Sequence, residues 1–322
     1  MTSPLHILGH FDDPHTGAER SLPDLADALS GSRPVHLWSD VPPHPFFRER
    51  GVQALPAEPG DFARGAQLLI GGVHVRLGDW LAHCGAARVT LRYNLPNHLR
   101  LFDAIARIRA ATGIDPELVF VSGTLRASVG LPGRVEPSLI RLDRFLALPV
   151  VRAHTGVLRL GRVSRDVIEK HDPRDLPVYR TLVARGVQVR LLGGTCLRPA
   201  LAQTPGIELL AAGAEPVEAF LGTLDIFFYR TGSFVEPYGR VVLEAMAAGL
   251  PVIAAANGGY AEQITHGVDG LLVRDQQEAL RALQLLVTSH ETRCRLGAAA
   301  RARAIALHGP QAFDAIVGNY RA

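Results

Sequence analysis

Lysine is nearly absent from this 322-residue chain: of its 34 basic residues only Lys170 is not an arginine. The arginine excess is most simply a GC-rich coding bias, so a surviving lysine marks a place where arginine would not serve. The plain alternative for it is a solvated lysine at a helix start. Cysteine is scarce as well. Cys84, Cys196 and Cys294 are far apart and odd in number, which argues against a disulfide framework or zinc site and fits a reducing compartment. There is no Asp-x-Asp pair and no His/Cys/Asp cluster at metal-ligand spacing. No metal and no cofactor are therefore expected. No stretch of membrane-spanning length is free of charges. The N-terminus MTSPLHILGHF lacks the basic start and long apolar core of a signal peptide. A cytoplasmic protein is expected, with peripheral contact at the inner face of the membrane left open. A net charge of only +3 gives no general nucleic-acid affinity. Internal repeats and low-complexity tracts are absent too.

What is present is a long alternation of strands and helices. With 47% hydrophobic and 20% charged residues, the chain can build two separate cores. Strands are expected at Leu5–Gly9, Pro34–Ser39, Gln67–Ile70, Val89–Tyr93 and Leu118–Ser122, with helices at Glu19–Leu29 and Leu101–Ala111. The stretch Arg144–Thr155 reads as a boundary, and the pattern then restarts. Strands follow at Leu158–Leu160, Gln188–Leu192, Ile226–Tyr229 and Val252–Ala254, with helices at Tyr179–Arg185, Gln277–Val287, Glu291–Leu307 and Phe313–Tyr320. Short connections between alternating elements predict parallel sheets covered on both faces.

The densest signal is the run from Phe227 to Val273. It reads as buried strand, glycine-broken loop, short helix from about Arg240, buried strand and glycine pair. Gly249 suits a left-handed cap and Pro251 forbids continuation of the helix. A glycine loop leading into a helix N-terminus suits a phosphate, because free N–H groups and the helix dipole point at the anion. Glu236 and Glu244, placed before and inside that helix, suit hydroxyl groups instead. Phosphate plus hydroxyls describes a nucleotide-sugar. For Glu236 the bland alternative is an acid favoured near a helix start. For Glu244, among Val241, Val242, Leu243 and Met246, it is an internal salt bridge, with Arg230 as partner.

The residues EPYGRVVLEAMAAGLPVIAA, then Gly258-Gly259-Tyr260-Ala261-Glu262 and Gly267-Val268-Asp269-Gly270-Leu271-Leu272-Val273, resemble the Glu-x7-Glu signature of retaining glycosyltransferases of family 4 (group 1). The resemblance is good from about Leu158 to Val273, looser over residues 1–30 and poor between them. It implies an α/β GT-B fold: two Rossmann-like domains with parallel sheets facing across a cleft. Residues 1–150 would be the acceptor side and 151–305 the nucleotide-sugar side, with a C-terminal helix over 306–322 packing back on the first domain. The implied activity is a retaining, metal-independent hexosyl transfer from a nucleoside-diphosphate sugar to a saccharide or lipid-linked glycan, as in cell-surface polysaccharide or glycolipid synthesis.

The resemblance also assigns residues. Arg162 and Lys170 would hold the diphosphate, with Arg165 beside them, while Glu236 meets the donor sugar and Glu244 the ribose. Pro237, Tyr238 and Gly239 would line the donor site, the departing phosphate taking the acceptor proton. Arg230 stands where the family has Pro-Ser, and Lys170 lies a few residues further from Arg162 than usual. In the first domain Thr16-Gly17-Ala18-Glu19-Arg20 resembles the family's glycine loop; Gly17 would let backbone N–H groups approach the ligand and Thr16 could cap the next helix. An ordinary helix-opening loop reads equally well. Many relatives carry a histidine at the end of a middle strand. Here that strand ends at Asn94, and His74 and His98 are the substitutes within reach of the acceptor side, against the usual structural role of a lone histidine. Phe46-Phe47-Arg48-Glu49-Arg50 is either an apolar-basic membrane contact or a packed loop. Three other functions stay open. A pyridoxal-phosphate phosphorylase needs its lysine elsewhere, a sugar-nucleotide epimerase would transfer nothing, and an inactive binding subunit would bind nucleotide without turnover. The oligomeric state is not legible.

Overall fold

The computed structural model of the chain describes residues 3–56, 58, 60, 62–149 and 156–321. The chain forms two compact units, one of residues up to Ile140 together with those from Gln311 onward, the other Arg141–Pro310. The expected boundary stretch ends in residues 150–155, which lie outside the described ones. The second unit takes up the chain before them. Phe145 of the short helix Asp143–Leu146 is fully buried, and Arg301 donates to the carbonyls of Leu146 and Leu148 at 3.3 and 2.5 Å.

The first unit holds a seven-stranded sheet. Its strands are β1 (Leu5–Gly9), β2 (Val35–Ser39), β3 (Val52–Ala54), β4 (Gln67–Ile70), β5 (Arg88–Tyr93), β6 (Glu117–Phe120) and β7 (Arg134–Val135), in the order β3-β2-β1-β4-β5-β6-β7. The second unit holds six: β8 (Arg159–Val163), β9 (Gln188–Leu192), β10 (Ile207–Leu210), β11 (Ile226–Tyr229), β12 (Val252–Ala255) and β13 (Leu271–Val273), ordered β10-β9-β8-β11-β12-β13. Every pairing is parallel. Strands β1, β4, β11 and β12 are buried along their whole length, as expected where helices cover both faces. Each such large apolar side chain contributes roughly 1.5–3 kcal/mol by leaving water.

The last helix, Pro310–Gly318, belongs with the first unit. Ile316, Val317 and Tyr320 join the core built from Leu5, Ile7, Leu22 and Leu25. The Tyr320 hydroxyl donates to Glu136 Oε1 at 2.7 Å, and Arg33 Nη1 donates to the Tyr320 carbonyl at 2.6 Å. Phe47 is fully buried, its ring 5.0 Å from Phe11, and Arg50 pairs with Asp24 and Asp27. Of the two readings of the Phe46–Arg50 segment, the packed one is found.

The strand order decides where chemistry can happen. In each sheet the connections run one way from the first strand and then the other way, so a crevice opens at the strand ends between β1 and β4 and between β8 and β11. Ligands of open parallel sheets bind at such switch points, outside the carboxyl ends of the strands.

Candidate active site

At the second switch point two loops meet. The one after β8 carries Ser164–His171; the one after β11 carries Arg230–Gly239. They are bound by backbone bonds: the N–H groups of Gly232 and Phe234 both donate to the Glu169 carbonyl at 3.1 Å. A side chain at Gly232 would not fit, because its Cβ would lie 2.5 Å from the His171 carbonyl oxygen. The result is that Lys170 and Glu236, remote in sequence, touch. Lys170 Nζ donates to Glu236 Oε2 at 2.6 Å, and the Tyr229 hydroxyl donates to the same oxygen at 2.8 Å. The ammonium also lies 3.6 Å from the centre of the Phe234 ring, with the Arg165 guanidinium 5.6 Å from it. Lys170 and Glu236 side chains are 8% and 13% exposed. Burial pulls the Lys170 ammonium below its usual value, the Glu236 carboxylate opposes that, and Arg165 and Arg162 add to it.

The helix Arg240–Ala247 begins at Gly239, whose φ of 81° is left-handed. A Cβ there would also sit 2.6 Å from that of Tyr260. Glu236 is fixed from behind, its carbonyl accepting the Gly259 N–H at 2.8 Å. Inside the helix Glu244 is 6% exposed among Val242, Leu243, Ala245 and Met246. Among the described residues its carboxylate has no hydrogen-bond or ion-pair partner. The helix ends as expected, with Gly249 at φ 74°.

Three assignments change. Arg162 has no exposed surface. Its Nη1 donates to the Arg230 carbonyl at 2.8 Å and its Nη2 to the Lys170 carbonyl at 2.5 Å, with the guanidinium over the Tyr229 ring. It braces the two loops from beneath instead of facing a ligand, because burial leaves it no ligand-facing surface; Arg165 is the exposed guanidinium. Arg230 does not pair with Glu244. It is buried and bridges Asp175 Oδ1 at 2.8 Å and Asp172 Oδ2 at 2.7 Å. Burial pushes the Asp175 carboxyl up to about 7, with Arg230 pulling the other way. Tyr238 turns inward, its hydroxyl 2.5 Å from His308 Nε2 and its carbonyl accepting from Gln263. That is packing. Pro237 is buried beside it.

At the first switch point Glu19, from the helix Gly17–Leu29, meets His74, which follows β4: Oε1 to Nε2 is 2.8 Å. Glu19 is 2% exposed and its second oxygen has no partner among the described residues. His10 stands edge-on to His74 and is held by Asp40 at 2.7 Å and Asp12 at 3.2 Å. Asn94 donates to the Gly71 carbonyl at 2.7 Å. His98 is exposed at the start of the helix His98–Thr112, on Ser128 at 3.3 Å. Thr16 precedes the helix opened by Gly17 but does not cap it; its hydroxyl donates to Asp13.

Sequence reasoning passed over Tyr229, Phe234, Asp172, Asp175, His10 and Asp40. A signal existed for two. Tyr229 closes a buried strand at its carboxyl end, and Phe234 is an aromatic inside a glycine-serine loop. Among the described residues no group of three or more His, Cys, Asp or Glu could hold a metal ion, and no helix is long and apolar enough to cross a membrane.

Residues 207–303 match the family described as glycosyl transferases group 1. The D-inositol 3-phosphate glycosyltransferase of Nocardiopsis dassonvillei is 30% identical over 227 residues, 65% of this chain and 49% of that protein. The protein of the same name from Stackebrandtia nassauensis is 40% identical over 90 residues, 27% of this chain and 20% of that one. The chain thus spans half or less of the length of these curated relatives. Among solved structures, Anabaena HepE in complex with UDP and glucose superposes with a TM-score of 0.76 at 17% identity, covering 99% of both chains. WaaG, a glycosyltransferase involved in lipopolysaccharide biosynthesis, gives 0.67 at 14% identity, covering 98% of both. The matched segment carries Glu236 and the helix of Glu244, and with its two parallel Rossmann-like sheets the chain has the GT-B fold of these solved structures.

Proposed function

We propose that the protein transfers a sugar from a nucleoside-diphosphate sugar to a hydroxyl of a saccharide or lipid-linked glycan, with retention and without a metal ion. The observation that supports this best is the Lys170–Glu236 contact of 2.6 Å, together with the buried carboxylate of Glu244 on the following helix, which has no partner among the described residues. An ammonium and two carboxylates beside a glycine-led helix start match a diphosphate flanked by two sets of hydroxyls. Lys170 and Arg165 take the charge that grows on the departing diphosphate, a task worth several kcal/mol. Glu236, positioned by Tyr229 and the Gly259 N–H, meets the donor sugar, and Glu244 meets the ribose. Arg162 acts through the two backbones it holds.

In the reaction the bond from the sugar's anomeric carbon to the diphosphate oxygen breaks, and one to the acceptor oxygen forms on the same face. The acceptor's proton goes to the departing phosphate. This last step comes from the family resemblance. The UDP-glucose bound by HepE makes UDP-sugars the first donors to test, by analogy of fold. The first unit serves the acceptor, in the cytoplasm or at the inner face of the membrane.

A thermal-shift screen with UDP, GDP, ADP and their sugars tests the reading. A ligand at about 100 times its Kd stabilises the native state by about 2.7 kcal/mol. The stabilising nucleotide-sugar is then incubated alone and with acceptors. Isomerised donor without transfer would replace the proposal with an epimerase, and nucleotide binding that never modifies an acceptor would leave only a binding subunit.

A further inference from the structure

We propose that Arg230 is a positioning residue for the transfer: through Asp172 and Asp175 it seats the segment that carries Lys170 against Glu236. This rests on the transferase reading above, in which Lys170 meets the diphosphate. Two departures from the pattern that the sequence resembles meet here. Lys170 lies further along the loop after β8 than usual, and Arg230, directly after β11, stands in place of Pro-Ser. The entropy cost of closing a loop grows with its length, so the longer loop needs added anchors to keep the ammonium 2.6 Å from Glu236. One residue supplies them. Arg230 Nη2 donates to Asp172 Oδ2 at 2.7 Å and Nη1 to Asp175 Oδ1 at 2.8 Å. Its carbonyl accepts from Arg162 Nη1 at 2.8 Å, while Arg162 Nη2 holds the Lys170 carbonyl.

The anchors lie on both sides of Lys170. Before it, the Glu169 carbonyl takes the N–H groups of Gly232 and Phe234. After it come the two aspartates, which are themselves fixed. Asp172 caps the 3₁₀ turn Pro173–Asp175, accepting the Arg174 N–H at 2.9 Å, and Asp175 leads into the helix Leu176–Ala184. Arg230, Asp172 and Asp175 are all buried, so any effect of Arg230 on a ligand passes through the lysine. The planar fork of a guanidinium sets the spacing of two carboxyl groups, which a proline and a serine cannot do.

Lys170 is the only lysine of the chain, so amine acylation read by mass spectrometry of its peptide reports on this one side chain. Removing Arg230 alone would leave two buried carboxyl groups without their partner. The test therefore uses the neutral set Arg230→Gln, Asp172→Asn, Asp175→Asn in the intact chain. This set should unfold cooperatively and be acylated at Lys170 at least tenfold faster than the parent. Asp175→Asn alone, which keeps the Asp172 bond, should show a smaller rise and carries the same test if the full set does not fold. The control Arg293→Gln should label at the parent rate; Arg293 is buried in the same unit on the Leu286 and Val287 carbonyls. Calorimetry with UDP should show about a tenfold loss of affinity in the neutral set. The same set placed on Lys170→Ala should lose nothing further, because the effect acts through the lysine. Acylation at the parent rate, an equal rise in the control, or an equal loss of UDP affinity with and without Lys170 would overturn the proposal. Acylation needs no donor or acceptor, which keeps the two readings apart. Faster acylation in a protein that binds none of the screened nucleotides defeats the transferase reading alone, and nucleotide binding with unchanged acylation defeats this inference alone.

Discussion

Replacing Glu236 by glutamine removes one charge from a buried ion pair and keeps the size of the side chain. The Lys170 ammonium would then stay 8% exposed with the Phe234 ring as its remaining favourable neighbour and Arg165 and Arg162 nearby. Leaving one member of a buried pair uncompensated costs about 3–5 kcal/mol. The glutamine oxygen can still accept from Lys170 and from Tyr229, and the ring retains about 1–2 kcal/mol of cation–π attraction. A loss near the lower end, about 3 kcal/mol, is expected. For a unit of this size that lowers Tm by roughly 6–12 °C.

The pH dependence sharpens the test. Lys170 is held below its unfolded value of 10.5, chiefly by burial. A group depressed in this way contributes its stability above the unfolded value and loses it as pH falls through the folded one. Without Glu236 the folded value drops further. The deficit of the variant should therefore be largest near neutral pH and shrink as the pH approaches 10. Urea unfolding of both proteins at about pH 7 and about pH 9.5 reads this directly. If the variant unfolds within about 0.5 kcal/mol of the parent at both values, an amount ordinary for surface substitutions, the contact is a surface pairing and the reasoning fails.

The same two glutamates should differ in binding. Glu244→Gln weakens both free nucleoside diphosphate and nucleotide-sugar, by about 1.5–3 kcal/mol if it holds the ribose, whereas Glu236→Gln leaves diphosphate affinity nearly intact and lowers transfer; equal losses by calorimetry would reverse the roles. Lys170→Ala should cut single-turnover transfer far more than it lowers Tm, and full activity would make the lysine a structural charge. Chelator should leave transfer unchanged, a loss restored by manganese or magnesium being the contrary result. Asp175 has its folded value raised to about 7 from 3.8, mainly by burial, so its contribution is full below about 4 and is lost as pH rises through 7. Asp175→Asn should therefore be better tolerated at pH 8 than at pH 4.5 in denaturant titrations, and the opposite trend would mean that Arg230 keeps the carboxylate ionised.

The sequence by itself determined the elements that are buried from end to end. Leu5–Gly9, Gln67–Ile70 and Ile226–Tyr229 are strands within the bounds read from their apolar runs, because a central parallel strand must be apolar on both faces. It passed over Val52–Ala54, Ile207–Leu210 and Arg134–Val135. These lie at or beside sheet edges, pair over few residues and keep polar side chains, so no periodicity marks them. The extended match around Glu236 and Glu244 located the loop and helix start at the second switch point, since a glycine loop, a helix start and two carboxylates are local features. Whether a charge faces ligand or core was not local. Arg162 and Lys170 look alike in the sequence, yet one is sealed beneath the loops while the other meets Glu236, and Arg230 finds its partners in Asp172 and Asp175 rather than in Glu244. Glu19 and His74, and Lys170 and Glu236, become pairs only because β1 lies beside β4 and β8 beside β11. That adjacency is a property of strand order, which hydrophobic spacing along the chain does not encode.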